Sequence, residues 1–289
     1  MIETLITTAL AGVVLAALYA LMASGLSLIW TTLGVFNFSH GALMMFGAHI
    51  AWTVTVAWGL GLVPGLVAGV AGAAALGIII EYLLVRPFYG KPNMLLITVM
   101  TTLAAMIILE KSAQIIWGAR LKQLPRLIEG DVTILGATIS AHEALIVLLA
   151  PIVLIALAKF TERSRIGRSL RAVGQNQDAA ALIGINVPWT FALAFALGAG
   201  LAGLTGVLLG SIRFITPGLG AEPLVAAMIV VIFGGLGSLG QTAAAALVIG
   251  LGEAFLVLVV GLYWTPFVLF LALVAILVLR PNGLFARAQ

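Results

Sequence analysis

The sequence contains no cysteine, and charged residues make up only 8% of its 289 residues. Without cysteine, the chain has no disulfide, no thiolate metal ligand and no cysteine nucleophile. Soluble domains carry about 25% charged residues, which cover their surface. So few charges exclude a soluble enzyme, a disordered regulator and a nucleic-acid-binding protein. The net charge of +4 does not favour nucleic acid either, because it comes from only 14 Lys and Arg against 10 Asp and Glu.

Long stretches of the chain have no charge of either sign. Residues 4–80 contain none, and the same holds for 92–109, 179–212, 223–252 and 254–279. A helix crosses the hydrocarbon core of a membrane with about 20 apolar residues. Helices satisfy their own backbone in lipid, and the alternating polarity of β-barrel strands is missing. The sequence therefore predicts an all-α fold, a polytopic membrane helix bundle.

We predict nine helical spans near residues 5–30, 40–57, 62–84, 94–118, 141–160, 188–212, 222–236, 239–261 and 264–280. The segment 222–236 is short, so the bundle has eight or nine transmembrane segments. The N-terminus lacks the basic region of a secretory signal.

The basic residues predict the orientation of the chain in the membrane. Loops on one side of the predicted bundle carry nine of them, and loops on the other side carry five. This bias favours 159–187 and the C-terminus on the cytoplasmic side, and 119–140, with its strand-like run, outside.

Small residues recur at every fourth position in two of the predicted spans. This spacing places them on one helix face and lets another backbone approach closely, which predicts tight helix packing, with a pore lining as the alternative. The two stripes are Gly61, Gly65, Gly69, Ala73 and Gly77 in one span, and Gly198, Ala202, Gly206 and Gly210 in the other.

The segment 159–187 is the most polar part of the chain, and it predicts two short helices. The first covers Arg165 to Val173 and ends at Gly174. The second covers 177–183, with Asn176 as its N-cap, Asp178 in its first turn and Gly184 as a left-handed stop. So short a helix needs a surface to pack on. The alternative interpretation of this segment is a loop that only sets the membrane topology, and such a loop would not need a capped helix.

Within this segment, Asp178-Ala179-Ala180-x-x-x-Gly184 resembles the E-A-A-x-x-x-G signature of ABC-transporter permeases, with Asp in place of Glu. Residues 25–49, 164–185 and 230–241 are similar to the branched-chain amino acid permeases, LivH type. The resemblance spans the whole chain. It implies a single permease transmembrane domain over 1–289, with 159–187 as a cytoplasmic coupling loop and 119–140 as an extracytoplasmic loop. The candidate ATPase-coupling residues are Arg165, Arg168, Arg171, Asp178, Ala179, Ala180 and Gly184.

The resemblance also implies the partners of the chain. They are a second homologous permease subunit in a heterodimer, two ABC ATPase subunits and an extracytoplasmic solute-binding protein, assembled in a bacterial-type cytoplasmic membrane. The expected cargo is branched-chain or related amino acids. This chain would bind no cofactor and would not be an enzyme, since the partner subunits would use the ATP.

Two stretches, 34–41 and 234–240, interrupt apolar spans with small or polar residues. Paired interruptions in two halves of a chain indicate a transport site. An unwound backbone can bind a zwitterion, and a following helix N-terminus favours a carboxylate. A tight turn between spans is the alternative interpretation. The candidate substrate-path residues are Asn37, Ser39, His40, Gly41, Gly235, Gly237 and Ser238.

Glu253 is a further substrate-path candidate, because a carboxylate in the middle of a span suggests a function. Its candidate partners are Arg213, Arg280 or another subunit, and a structural hydrogen bond is favoured over a proton relay. His40 and His49 lack the spacing of a metal pair, so no metal site is predicted.

Two other functional classes remain alternatives to the importer permease. A stand-alone secondary transporter or channel for a small polar solute generally needs intramembrane ionisable residues, and Glu253 is the main candidate here. An integral-membrane enzyme is the other alternative, but the sequence shows no catalytic constellation that would support it. The runs 198–203 and 235–240 match a G-x-G-x-x-G dinucleotide motif, but they lack the strand and the acidic residue that this motif requires.

Overall fold

The computed structural model describes residues 2–134, 136–235 and 239–279. It contains eleven α-helices and one β-hairpin in this part of the chain. The helices are α1 (Ile2–Leu33), α2 (His40–Trp52), α3 (Leu62–Ile80), α4 (Met94–Trp117), α5 (Ala141–Arg163), α6 (Arg165–Gln175), α7 (Gln177–Leu182), α8 (Val187–Gly210), α9 (Ala221–Gly234), α10 (Leu239–Val260) and α11 (Thr265–Leu279); the strands are β1 (Asp131–Ile134) and β2 (Ala137–Ser140).

The helices follow the predicted spans closely, and the polytopic all-α bundle is confirmed. Six helical segments of the described chain are long and apolar enough to cross a membrane: Ile2–Leu33, Leu62–Phe88, Met94–Trp117, Ala141–Arg163, Val187–Gly210 and Leu239–Val260. Helices α2, α9 and α11 are shorter, at 13, 14 and 15 residues. Two π-helical turns extend α2 over Thr53–Ala57 and α3 over Glu81–Val85.

The chain packs as two compact units, each formed from separate parts of the sequence. The first unit contains Met1–Ser27, Arg126–Ile155 and Val225–Gln289, and the second contains Leu28–Pro125 and Ala156–Leu224. The second unit holds most of α2, α3, α4 and α8 and both helices of the polar segment. The first holds most of α1, the hairpin, α10 and α11. The single transmembrane domain over 1–289 stays a prediction.

In the second unit, α2, α3 and α8 pack with their backbones in close contact. A Cβ added to Gly47 would lie 2.5 Å from the Cα of Gly203, and one added to Gly69 would lie 2.6 Å from the carbonyl oxygen of Gly47. One added to Gly206 would overlap the carbonyl of Met44. The predicted packing role of the two small-residue stripes is therefore confirmed at Gly69 and Gly206, whereas Gly61 has no atom within 4 Å of an added Cβ.

Replacing Gly206 by alanine is expected to destabilise the protein by about 1–3 kcal/mol, because overpacking forces the two backbones apart. Gly200, on the same helix, provides the matched control, since its added Cβ would lie 3.7 Å from the nearest side-chain atoms. Melting temperatures of the two variants in detergent would measure the difference. Equal melting temperatures would contradict the close α2–α8 contact.

The first unit is held by an equally close contact between α1 and α10. A Cβ added to Gly250 would lie 2.5 Å from the backbone nitrogen of Ala16. The antiparallel hairpin β1–β2 confirms the strand-like run predicted in 119–140. It leads directly into α5 through a capping box, in which Ser140 N donates to Glu143 Oε2 at 2.9 Å and Glu143 N donates to Ser140 Oγ at 3.2 Å.

Candidate functional site

We call the polar segment 159–187 the large loop. Within it, helix α6 packs against the C-terminal end of α5. Ser164 caps α6 by accepting a hydrogen bond from Gly167 N at 2.8 Å. Arg168 donates to the carbonyl of Arg163 at 3.0 Å, and Arg171 donates to the carbonyls of Thr161 and Glu162. These two arginines therefore cap the C-terminus of α5. Arg165, the third candidate arginine, is exposed.

Helix α7 has the caps that the sequence predicts. Asn176 Oδ1 accepts a hydrogen bond from Ala179 N at 2.9 Å. At the other end Gly184 is left-handed, with φ at +86°. Gly184 N donates to the Ala181 carbonyl at 3.0 Å, and Ile185 N donates to the Ala180 carbonyl at 3.1 Å. This pair of hydrogen bonds is a Schellman motif, which fixes the end of the helix at the glycine.

One face of α7 packs inward while its C-terminal end is exposed. Ala180 is buried in an apolar cluster with Leu170 and Val173 of α6. Leu182 and Ile183 are 89% and 76% exposed. Asp178 and Ala179 are also exposed. Leu182 and Ile183 were not predicted as site residues, although two bulky apolar residues before a helix-stopping glycine in a polar loop could have indicated them.

The large loop contacts the end of α1 directly. A Cβ added to Gly174 would overlap the carbonyl of Thr31 and would lie 3.5 Å from the Cα of Thr32. Leu33 and Val35 belong to the same apolar cluster as Leu170, Val173 and Ala180. The loop is therefore packed against the residues at which α1 ends and the first interruption begins.

The first interruption lies between α1 and α2, over 34–39, and its polar side chains are fully buried. Asn37, Ser39 and His40 are each 0% exposed. Asn37 Oδ1 accepts hydrogen bonds from Ser39 N at 3.1 Å and from Ser39 Oγ. His40 N donates to the Asn37 carbonyl at 3.2 Å. The segment is thus an ordered turn that starts α2.

Gly41 follows this turn and contacts a segment that our sequence analysis did not select. A Cβ added to Gly41 would overlap the carbonyl of Gly220, and one added to Gly220 would overlap the carbonyl of Gly41. The two glycines therefore touch reciprocally through their backbones, at the starts of α2 and α9. No sequence pattern joins them, because glycine is common throughout this chain, which contains 33 of them.

The second predicted interruption, 234–240, lies only partly within the described residues. Gly235 has φ at +79° and ends α9, with its N–H donating to the Ile232 carbonyl at 3.2 Å. Gly237 and Ser238 lie outside the described residues. The substrate-path assignment of all these residues stays a prediction.

Glu253 accepts a hydrogen bond within the first unit, and its place on the substrate path stays a prediction. Tyr19 of α1 donates to Glu253 Oε1 at 3.0 Å. Arg213 was wrongly considered as its partner, because Arg213 pairs with Glu222 at 3.4 Å. Arg280 lies outside the described residues. Tyr19 was missed because it is 234 positions away in the sequence.

An ionic cluster around a buried carboxylate joins the end of α3 to the start of α8, with the Arg86 side chain 32% exposed. Glu81 is 0% exposed and accepts from Arg86 Nε at 3.2 Å, from Arg86 Nη2 at 3.0 Å and from Tyr89 Oη at 2.5 Å. Arg86 Nη2 also donates to the Pro188 carbonyl at 3.4 Å. Burial and the hydrogen bond to Glu81 raise the pKa of Tyr89, so its hydroxyl stays protonated and donates. We call Glu81, Arg86 and Tyr89 the Glu81 cluster.

Among the described residues, no group of three or more His, Cys, Asp or Glu side chains is placed to hold a metal ion. The apolar helices of spanning length define a multi-pass membrane protein. The model of the family described as the permease component of the branched-chain amino acid transport system matches residues 8–277, and the chain belongs to this family. It is therefore a membrane transport subunit rather than an enzyme.

Individual relatives match over almost the whole chain. BraD, a permease protein of the high-affinity branched-chain amino acid transport system of Pseudomonas aeruginosa, is 31% identical over 292 residues, which cover 96% of this chain and 94% of BraD. LivH of Escherichia coli K12 is 29% identical with the same coverage. The probable LivH of Methanocaldococcus jannaschii is 25% identical, over 92% of this chain and 88% of the relative. No solved structure gives a significant match.

Proposed function

We propose that this chain is the membrane-spanning subunit of an ATP-driven importer that moves branched-chain or related amino acids. Its relatives carry names from high-affinity branched-chain amino acid transport systems, which supports this cargo. ABC ATPase subunits supply the energy, and an extracytoplasmic binding protein delivers the substrate. The observation that carries the proposal is the large loop, in which a six-residue helix is capped at both ends and carries an exposed apolar end.

The exposed end of α7 supports a protein partner in the cytoplasm. Leu182 and Ile183 lie in the most polar segment of the chain, so water is the expected neighbour of this loop unless another protein covers it. Burying an apolar side chain of this size contributes about 1.5–3 kcal/mol. Because Asn176 and Gly184 fix both ends of α7, the backbone that carries the two side chains is ordered before they bind.

The packing of the large loop also supports a route by which the ATPase moves the permease. Gly174 fits against the Thr31 carbonyl, and the apolar cluster continues from Ala180 to Leu33 and Val35. Close-packed interiors transmit displacement because they compress little. A pull on α7 therefore acts on the junction between α1 and the first interruption, which contains the candidate substrate-path residues.

The remaining parts of the proposal concern the assembly. A second homologous permease completes a heterodimer, and two ATPase subunits bind the two large loops. Each permease crosses the membrane eight or nine times, with 119–140 outside and 159–187 in the cytoplasm. This orientation follows the positive-inside rule, and it places the large loop where ATP is available.

The double variant Leu182→Asp/Ile183→Asp is expected to weaken ATPase binding at least about tenfold, because burying unpaired carboxylates in an apolar contact costs several kcal/mol and 1.4 kcal/mol is tenfold in affinity. Co-purification of the tagged permease with its ATPase from detergent-solubilised membranes would measure this loss.

The matched control is Ile166→Asp, which places a carboxylate at an exposed apolar position of α6 in the same loop. Full ATPase recovery with this variant would assign the contact to the end of α7. Undiminished recovery with the double variant would remove the main support for the proposal. Solute accumulation driven by an ion gradient in liposomes that contain only this chain would favour a secondary transporter instead.

A further inference from the structure

Asn37 and Thr98 each carry a fully buried polar atom without a hydrogen-bond partner. The atoms are Asn37 Nδ2 and Thr98 Oγ1, and both residues are 0% exposed. Leaving a buried polar group unsatisfied costs about 1–3 kcal/mol. Such groups are uncommon in native proteins, and each one calls for a functional or structural reason.

The orientation of the Asn37 amide follows from its hydrogen bonds. Its Oδ1 accepts from the backbone N–H of Ser39 at 3.1 Å, and a backbone N–H can only donate. The amide oxygen must therefore face Ser39, and the NH₂ group is directed away from it. This arrangement leaves two N–H donors without an acceptor.

Thr98 lies on the helix that contacts the same interruption. Phe38 N, next to Asn37 in the chain, donates to Thr102 Oγ1 at 3.3 Å. Thr102 Oγ1 in turn donates to the Thr98 carbonyl at 2.8 Å, one helical turn away. Residues four apart lie on the same face of a helix. The hydrogen bond from Phe38 to Thr102 joins the first interruption to α4. Asn37 lies one residue from this contact and Thr98 one helical turn from it, so we assign their unpaired polar atoms to the same junction.

We propose that this junction binds the α-carboxylate of the transported amino acid, with Asn37 and Thr98 as its donors; this inference rests on the proposed function. A carboxylate accepts several hydrogen bonds and donates none, so it matches an amide NH₂ and a hydroxyl. Because both donors are neutral, they bind the anion more weakly than an arginine would, which suits a site that must release its substrate. Both side chains are buried in this conformation, so the site is closed until the interruption separates from α4.

The test is equilibrium dialysis of radiolabelled leucine against the assembled permease–ATPase complex in detergent, without the binding protein. Thr98→Val is expected to raise the Kd for leucine about tenfold, the effect of losing roughly 1.4 kcal/mol of binding. Thr98→Ser keeps the hydroxyl and is expected to bind as the unmodified protein does. Unlabelled leucinamide, which lacks the carboxylate, is expected not to compete.

Thr205→Val provides the matched control, because Thr205 is equally buried but donates to the Leu201 carbonyl of its own helix. Asn37→Asp keeps the acceptor for Ser39 and replaces the donor group with a second oxygen, so leucine binding is expected to be lost. An unchanged Kd in Thr98→Val, no leucine binding by the unmodified complex, or full competition by leucinamide would each overturn the inference.

ATP-driven leucine uptake by the unmodified transporter in proteoliposomes, supplied with its binding protein, tests the proposed function separately. Uptake by that transporter together with an unchanged Kd in Thr98→Val would reject the carboxylate site alone. Absence of uptake would reject both proposals.

Discussion

Replacing Gly184 by valine is expected to reduce ATP-driven uptake by at least about tenfold while the protein still inserts into the membrane. The φ of +86° at this position is easily adopted only by glycine. A β-branched residue there costs at least about 1–2 kcal/mol, and α7 has only six residues to offset the loss. The helix then loses its Schellman end, and Leu182 and Ile183 lose their fixed positions. Uptake of labelled leucine and ATP hydrolysed per leucine, both per inserted permease, would measure the uncoupling.

Gly90→Val is the matched control for this variant. Gly90 also has a left-handed backbone, with φ at +69°, and like Gly184 it has no atom within 4 Å of an added Cβ. The two substitutions therefore introduce similar backbone strain, but only Gly184 ends a helix of the large loop. Uptake that falls equally in both variants would show a general effect of strain, and unchanged uptake in Gly184→Val would contradict a coupling role for α7.

The sequence predicted the features that depend on local physical chemistry. Membrane helices follow from uncharged runs, because lipid cannot satisfy an exposed backbone or a charge. The two caps of α7 follow from Asn176 and Gly184, whose preferences act within four residues. The stripe that contains Gly69 also predicted a close contact, since small residues at helical spacing serve few other purposes.

Contacts between distant parts of the chain could not be predicted in the same way. Tyr19 donates to Glu253 and Gly220 touches Gly41, and in both cases the fold brings together residues that share no local pattern. The arginines of α6 show a related limit. The family resemblance made them candidates for ATPase coupling, which stays a prediction, and the structure shows in addition that Arg168 and Arg171 cap α5. A basic side chain can serve either purpose, and only the geometry distinguishes the two.

Replacing Arg86 by methionine is expected to destabilise the protein by about 3–5 kcal/mol, because it leaves a buried carboxylate without its counter-charge. Glu81 is fully buried, and Tyr89 is its remaining hydrogen-bond donor once Arg86 is removed. Adding Glu81→Leu is expected to recover most of the loss, since apolar residues often replace a buried ion pair without cost. Melting temperatures in detergent for the single and double variants would measure both effects.

Arg213→Met is the matched control, because Arg213 pairs with Glu222 at 3.4 Å with both side chains largely exposed. Exposed pairs contribute about 0–1 kcal/mol, so this variant should melt close to the unmodified protein. A loss of stability in Arg86→Met no larger than in Arg213→Met would contradict the importance of the Glu81 cluster.

Arg86 also donates to the Pro188 carbonyl at the start of α8. The double variant removes the unpaired buried charge but does not restore this bond. If the double variant regains stability but not uptake, the polar contacts of the Glu81 cluster are needed for coupling, separately from their effect on folding.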